Sequence, residues 1–201
     1  IPQDLKFKGE QTTAIIGDHT TIRECVTINK GTVAMGRTEI GSHCLLMAYV
    51  HIAHDCIIGD HVILANSVNL AGHVTIEDWA ILEGYVGVSQ FMHIGAHSFI
   101  AGQSGVRKNV PPFVKAAREP LSYAGINSVG LARRGYEKEV IEDIQNIYRT
   151  IFQKGYNTSK ALSMVEEECP TSAHRDLILQ FVRSSEKGII RGLSGSMMKT
   201  E

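Results

Sequence analysis

Residues 40–76 read IGSHCLLMAYVHIAHDCIIGDHVILANSVNLAGHVTI, with Ile40, Leu46, Ile52, Ile58, Leu64, Leu70 and Ile76 on every sixth position. The beat continues through Leu82, Val88, Ile94, Ile100 and Val106 and reaches back to Ile28, Ile22 and Ile16. A period of six matches neither the period of about 3.6 of a helix nor that of about 2 of a strand, so it marks an internal repeat. Hexapeptide repeats spell a parallel β-helix, in which three short strands complete a triangular coil of eighteen residues. Residues eighteen apart then stack at the sheet spacing of about 4.8 Å, and the sequence becomes a map of neighbours.

A second inward column lies four residues after the first and holds small groups: Cys44, Val50, Cys56, Val62, Val68, Val74, Ala80 and Val86. Small residues suit a narrow prism where strands turn corners. Gly17, Gly41, Gly59 and Gly95 directly follow aliphatic residues, where a turn is expected to need a permissive backbone. The weakened pattern at Ala34-Met35-Gly36-Arg37 predicts a loop leaving the prism. Val110-Pro111-Pro112 predicts the prism's end, because proline cannot continue a ladder. A linker with Pro120, Gly125 and Gly130 follows. Residues from Glu137 to Lys154 read as an amphipathic helix with Val140, Ile144, Ile147 and Ile151 on one stripe. Shorter helices are expected over Ser159–Glu168 and Ser172–Glu186. The organisation expected is a solenoid over 1–116 and a helical domain over 117–201. The chain opens at Ile1 on an uncapped coil, and solenoids need capped ends, so upstream coils are expected.

With 201 residues and 43% hydrophobic composition the chain can bury a sizeable core, and its net charge of −1 argues against nucleic-acid binding by the whole protein. The charge is uneven. Residues 107–134 carry Arg107, Lys108, Lys115, Arg118, Arg133 and Arg134 against Glu119 alone. Such a zone suits an anionic ligand or an acidic partner, or is simply a solvated surface. Cys25, Cys44, Cys56 and Cys169 show no CxxC pairing, which points to a reducing, cytoplasmic setting. No apolar run approaches the roughly 20 residues of a membrane span, and no signal peptide is visible.

Polar residues break the monotony at His51-Ile52-Ala53-His54-Asp55-Cys56. On the eighteen-residue map His54 stacks on Gly72, then on Gln90 and Lys108, while Asp55 stacks on His73. A histidine beside a carboxylate and a second histidine is a general-base environment, since imidazole titrates near neutrality. A glycine one coil away leaves its N–H open to a developing oxyanion. The plainer reading is that histidine is a turn residue here, because His43, His61, His73 and His97 all hold the fourth position of a hexapeptide; His54 lies off that column. Cys56 resembles a thiol nucleophile but belongs to the small inward column and reads as core filler. Three histidines on neighbouring coils could bind zinc, as in solenoid carbonic anhydrases, but the His-x4-His pair of those enzymes is missing, so no metal is expected.

At these residues the chain resembles the bacterial UDP-N-acetylglucosamine acyltransferases, which start lipid A synthesis. The resemblance rests on Ile1-Pro2-Gln3-Asp4-Leu5-Lys6, His51 to Cys56, Ile63-Leu64-Ala65-Asn66 and Leu70-Ala71-Gly72-His73, and extends through Gln90-Phe91, Ile94-Gly95-Ala96-His97 and Arg133-Arg134-Gly135. It implies an all-β, left-handed parallel β-helix of hexapeptide repeats followed by a C-terminal α-helical domain. It also implies transfer of a 3-hydroxyacyl chain from acyl carrier protein to the glucosamine 3-hydroxyl of UDP-N-acetylglucosamine, without a cofactor. By the same resemblance His54 is the general base, Asp55 orients the histidines and Gly72 donates to the oxyanion. His51 and His73 line the sugar pocket. Gln3, Asp4 and Lys6 contact the acyl hydroxyl, sugar and phosphate region, and Gln90 contacts the pyrophosphate. Asn127, Arg133 and Arg134 match a nucleotide- and carrier-binding segment. Gly102 sits where acyl length is gauged, and with no side chain there a long acyl chain is expected. The family is a homotrimer with active sites between neighbouring prisms. Two positions depart from its pattern: Ser89 stands where many members have His, and Val129 replaces an acidic residue. Two alternatives remain from the residues alone. One is a hexapeptide enzyme that N-acylates a UDP-glucosamine derivative, and the other is a non-catalytic sugar-nucleotide-binding scaffold.

Overall fold

The computed structural model describes residues 1–192; the end of the expected helical domain, 193–201, lies outside that range. The hexapeptide beat becomes three strands per coil. The first coil holds β1 (Thr13–Ile16), β2 (Thr21–Ile22) and β3 (Thr27–Ile28), and the second β4 (Arg37–Ile40), β5 (Leu45–Leu46) and β6 (His51–Ile52). Next come β7 (Ile57–Ile58), β8 (Ile63–Leu64) and β9 (Asn69–Leu70), then β10 (Thr75–Ile76), β11 (Ile81–Leu82) and β12 (Gly87–Val88). The series continues with β13 (His93–Ile94), β14 (Phe99–Ile100) and β15 (Gly105–Val106). Like strands pair in parallel to make the three faces: β1-β4-β7-β10-β13, β2-β5-β8-β11-β14 and β3-β6-β9-β12-β15. This is the parallel β-helix expected from the repeat. The aliphatic column from Ile40 to Val106 is buried throughout, as is the small column from Cys44 to Val86. Each buried Leu, Ile or Val contributes roughly 1.5–3 kcal/mol, so the stacked columns are the main cohesive element.

Register records the loop. Ile40 pairs with Ile58, eighteen residues on, but Ile28 pairs with Ile52 and Ile16 with Ile40, twenty-four on. Six extra residues therefore leave the prism between β3 and β4, around the interruption seen at Ala34–Arg37.

The glycines act differently from expectation. Gly17, Gly41, Gly59 and Gly95 do not have left-handed backbones; the positive φ values fall instead on non-glycine residues six apart, among them His43 (58°), Asp55 (60°), His61 (57°), His73 (61°) and His97 (58°). The fourth hexapeptide position is thus a left-handed corner, a conformation in which His and Asp are enriched. What Gly41 provides is proximity: a Cβ there would lie 2.6 Å from the carbonyl carbon of Gly59 in the next coil.

Pro111 and Pro112 do not end the ladder. Val110 bridges Ile94, and β16 (Val114–Ala117) pairs in parallel with β14, Ile100 against Ala116. Both offsets are sixteen rather than eighteen. The last coil is two residues short, and the prolines occupy its corner, where Gly95 packs against Pro112. The expected linker is also structured: β17 (Ser122–Ile126) returns antiparallel to β16, and α1 (Ser128–Arg133) follows, capped by Asn127. Helix α2 (Lys138–Phe152) buries Ile144, Ile147 and Ile151 of its stripe, while Val140 is half-buried. The tail continues through α3 (Thr158–Glu168) and α4 (Ala173–Ser184), close to the expected spans. None of the helices among the described residues is long and apolar enough to cross a membrane.

Candidate active site

The corner between β6 and β7 carries the chemistry. Asp55 adopts the left-handed corner conformation, and its backbone N–H donates to Thr38 Oγ1 at 2.9 Å. Its side chain is fully buried. Thr32 donates its N–H to Asp55 Oδ1 (2.8 Å) and its hydroxyl to Oδ2 (2.7 Å), while His54 Nδ1 lies 2.8 Å from Oδ2. Burial by itself would raise this carboxyl. The hydrogen bonds from Thr32 and His54, with the charge of His73, outweigh it and hold Asp55 below the ordinary carboxylate range. An ionised Asp55 only accepts, so it fixes the proton of neutral His54 on Nδ1 and leaves Nε2 as the free base. His73 closes the group from the next coil, with Nε2 3.6 Å from Asp55 Oδ2 and its ring edge-on to His54 at 5.2 Å.

The ring of His54 lies against Gly72. A Cβ at residue 72 would come within 2.6 Å of His54 Cε1 and 2.7 Å of Nε2, so only glycine admits the imidazole there. Position 72 is the third of its hexapeptide. At four other third positions the corner N–H turns away from the ladder and finds a carboxylate. Ser42 N donates to Asp60 Oδ1 (2.6 Å), Asp60 N to Asp78 Oδ1 (2.8 Å), Ala96 N to Glu77 Oε2 (2.8 Å) and Gly102 N to Glu83 Oε2 (3.0 Å). Among the described residues nothing accepts from Gly72 N–H in this way. An anion-seeking donor therefore stands open beside the imidazole.

Both groups open into a groove of about 640 Å³ along the third face, lined by Gln3, His51, His54, Gly72, Gln90 and Arg107. Gly87 and Gly105, paired in register, give it a floor without side chains. His51 Nδ1 lies 2.7 Å from Thr27 Oγ1, and burial lowers the pKa of its imidazole.

The other expected residues fall elsewhere. Asp4 accepts from Lys6 N–H at 3.0 Å, closing a turn after Gln3, and Lys6 is exposed. Asn127 and Arg133 border a second cleft, on the face of β8, β11 and β14, with Ile81, Phe99 and Lys115. Arg134 is held against the prism: Nη2 donates to Trp79 O at 3.1 Å and the guanidinium covers the Trp79 ring at 5.1 Å. Burial, together with the Arg134 charge, pushes His97 down to about 4. Gly102 occupies the corner between β14 and β15, where a Cβ would meet Gly84 O at 3.2 Å.

Cys56 is core. It is fully buried, its thiol reaches Ala71 O at 3.2 Å, and burial raises its pKa to about 12. His54, Asp55 and His73 also form the metal-type group of the described residues, with ligand atoms within 4.8 Å of one another. Asp55 Oδ2, which they share, already accepts hydrogen bonds from Thr32 and His54, an arrangement for proton handling rather than coordination. Sequence reasoning missed Thr32 and Thr38, and named Arg107 only as part of the basic zone. The interrupted repeat was the signal for Thr32, since a loop leaving the prism one coil before a polar corner can fold back over it.

Comparison with known proteins matches this arrangement. Residues 109–190 fit the profile described as Udp N-acetylglucosamine O-acyltransferase, domain 2, and residues 37–72 fit the bacterial transferase hexapeptide. An acyl-[acyl-carrier-protein]–UDP-N-acetylglucosamine O-acyltransferase of Pseudomonas syringae pv. tomato is 46% identical over 94% of this chain and 73% of its own length. The UDP-N-acetylglucosamine acyltransferase structure from Bacteroides fragilis 9343 superposes with a TM-score of 0.93 at 50% identity, covering 95% of this chain and 75% of that one. The corresponding structure from Acinetobacter baumannii gives 0.90 at 42% identity, with 95% and 75% covered. With relatives this similar over nearly its whole length, the chain belongs to the UDP-N-acetylglucosamine O-acyltransferase family.

Proposed function

We propose that this chain transfers a 3-hydroxyacyl group from acyl carrier protein to the glucosamine 3-hydroxyl of UDP-N-acetylglucosamine in the groove of the third face, the first step of lipid A synthesis. The observation that carries the reading is the contact of His54 with Gly72: a free imidazole nitrogen and an unclaimed N–H on one spot. His54 Nε2 takes the hydroxyl proton as the sugar oxygen attacks the thioester carbon. The resulting oxyanion lies at Gly72 N–H, which stabilises it most where charge is greatest. Collapse breaks the C–S bond, and the departing thiolate takes the proton back from His54, leaving an ester and the free carrier thiol. Asp55 stabilises the imidazolium between those steps.

His51 and His73 face the sugar, and Gln90 and Arg107, from the coils beyond Gly72, face the phosphates. Asn127 and Arg133 border a different face, so their nucleotide contact requires a second copy of the chain. A cyclic trimer, in which the second cleft of one prism meets the groove of another, satisfies this. A cytoplasmic site of action supplies both soluble substrates. The lack of a side chain at Gly102 favours a long acyl chain.

The test is His54→Ala, assayed by mass spectrometry of the acylated sugar nucleotide with a ladder of 3-hydroxyacyl carriers. Turnover should fall by at least about 10³-fold, because the base is removed from a unit that acts together. Thermal stability should stay close to that of the parent. Undiminished turnover would end the proposal.

A further inference from the structure

We propose that Thr32 is a positioning residue for the transfer reaction: it holds Asp55 so that His54 keeps its proton on Nδ1. The inference rests on the acyl-transfer reading above. It starts from the register jump between β3 and β4. The six additional residues make an excursion in which Val33 is 78% and Met35 46% exposed, yet Thr32 is only 4% exposed and points back into the prism. Its placement is enforced from several sides. Gly31 N–H donates to Thr13 O, and a Cβ at Gly31 would collide with the Arg37 backbone. Gly36, with φ at 72°, turns its N–H onto Thr32 O at 2.7 Å, and Ala34 N–H reaches Thr32 Oγ1 at 3.2 Å.

The Thr32 hydroxyl therefore accepts from Ala34 and has its one proton free to donate. It donates a hydrogen bond to Asp55 Oδ2, while Thr32 N–H donates to Oδ1. A carboxylate gripped at both oxygens cannot rotate about its χ2 axis. Oδ2 is the oxygen that faces His54 Nδ1 at 2.8 Å and His73 Nε2 at 3.6 Å. Orientation of the carboxylate by Thr32 thus decides whether Oδ2 stays in line with the imidazole. Hydrogen bonds to a charged acceptor are about twice as strong as neutral ones, which suits this role. The excursion, which breaks the repeat and buries little else, is there to deliver this threonine.

The experiment compares Thr32→Val, which keeps the shape and N–H but loses the hydroxyl, with Thr32→Ser, which keeps the hydroxyl, in the full chain. Thr32→Val should lower kcat by roughly 10-fold to 100-fold, the size expected for one lost hydrogen bond to a charged group. KM for both substrates should hold within about twofold, and Thr32→Ser should restore most of kcat. Nitrogen-15 NMR of labelled histidine should show His54 moving from a single Nδ1–H form toward a mixture in Thr32→Val. Three outcomes overturn the inference: parental kcat in Thr32→Val, a loss confined to KM, or equal losses in both variants with an unchanged His54 signal. His54→Ala measured alongside separates the two readings. If it is inactive while Thr32→Val is parental, only the positioning role fails; if it is active, the mechanism itself falls.

Discussion

The corners at Asp60 and Gly72 occupy the same hexapeptide position and expose the same backbone donor, yet one is sealed and the other open. At Asp60 the N–H is taken by the carboxylate eighteen residues on, Asp78 Oδ1 at 2.8 Å. At Gly72 the residue eighteen on is Gln90, which lines the groove and leaves the donor unclaimed among the described residues. The β-helix produces an anion-seeking amide at its corners as a by-product of turning. At Ser42, Asp60, Ala96 and Gly102 the chain satisfies that amide with a carboxylate of its own. The candidate site omits the internal anion and sets a histidine beside the vacancy. Catalytic electrostatics here uses the donor that those four corners seal.

The comparison breaks most sharply at Gly72 itself. Gly72→Ala should reduce kcat by roughly 10²-fold to 10³-fold, the scale of a lost oxyanion donor, because the new Cβ must push the His54 ring out of place. Since Gly72 is not in the left-handed region, the backbone should tolerate alanine, and stability should fall only by about 1–3 kcal/mol as the displaced His54 ring loses its bond to Asp55. Steady-state kinetics paired with thermal melting checks both halves. A parental kcat would mean that the imidazole and the amide do not cooperate.

Gln90→Asp is the next test, since it imports the Asp78 arrangement into the open corner. A carboxylate at residue 90 should seal Gly72 N–H as Asp78 seals Asp60 N–H, and compete with the oxyanion for it. We expect kcat at saturating substrates to fall by about 10²-fold, with KM for the sugar nucleotide rising as well through repulsion of its phosphates. Gln90→Ala, which brings no acceptor to the donor, should keep kcat within roughly tenfold of the parent. Equal losses in the two variants would show that residue 90 acts only by contacting the nucleotide.

The contrast also explains what could be read in the sequence. The aliphatic column is strictly local and periodic, so the prism, its inward residues and the stacking of His54 on Gly72 followed from counting by eighteen. The amphipathic stripe of α2 was legible for the same reason. Counting failed where the period changed. The short coil at Val110–Ala116 lets the ladder pass the prolines, and β17 and α1 carry no repeat to count. Thr32 reaches Asp55 across an excursion that suspends the beat, so no offset pointed to it. The conformational role expected of the glycines falls instead to non-glycine corner residues such as His43, Asp55, Trp79 and Tyr85. Asn127 and Arg133 sit on a different face from His54, a separation that eighteen-residue arithmetic could not reveal because those residues lie beyond the last coil.

The smallest effect tests the sealed corner. Asp78→Ala removes the acceptor of Asp60 N–H at a solvent-exposed site, so the loss should be near the low end for a hydrogen bond, about 0.5–1 kcal/mol. That corresponds to a melting shift of roughly 1–4 °C for a chain of this size. Turnover should not change, because Asp78 lies on a corner away from the groove lining. A stability loss with parental kcat means that the corner amide seeks an anion in the folded chain, which is the property Gly72 must have to hold an oxyanion. If Asp78→Ala melts with the parent, water serves that donor as well as a carboxylate does. The open amide at Gly72 would then stabilise the oxyanion no better than solvent, and the burden of catalysis would shift to His54 and to substrate positioning.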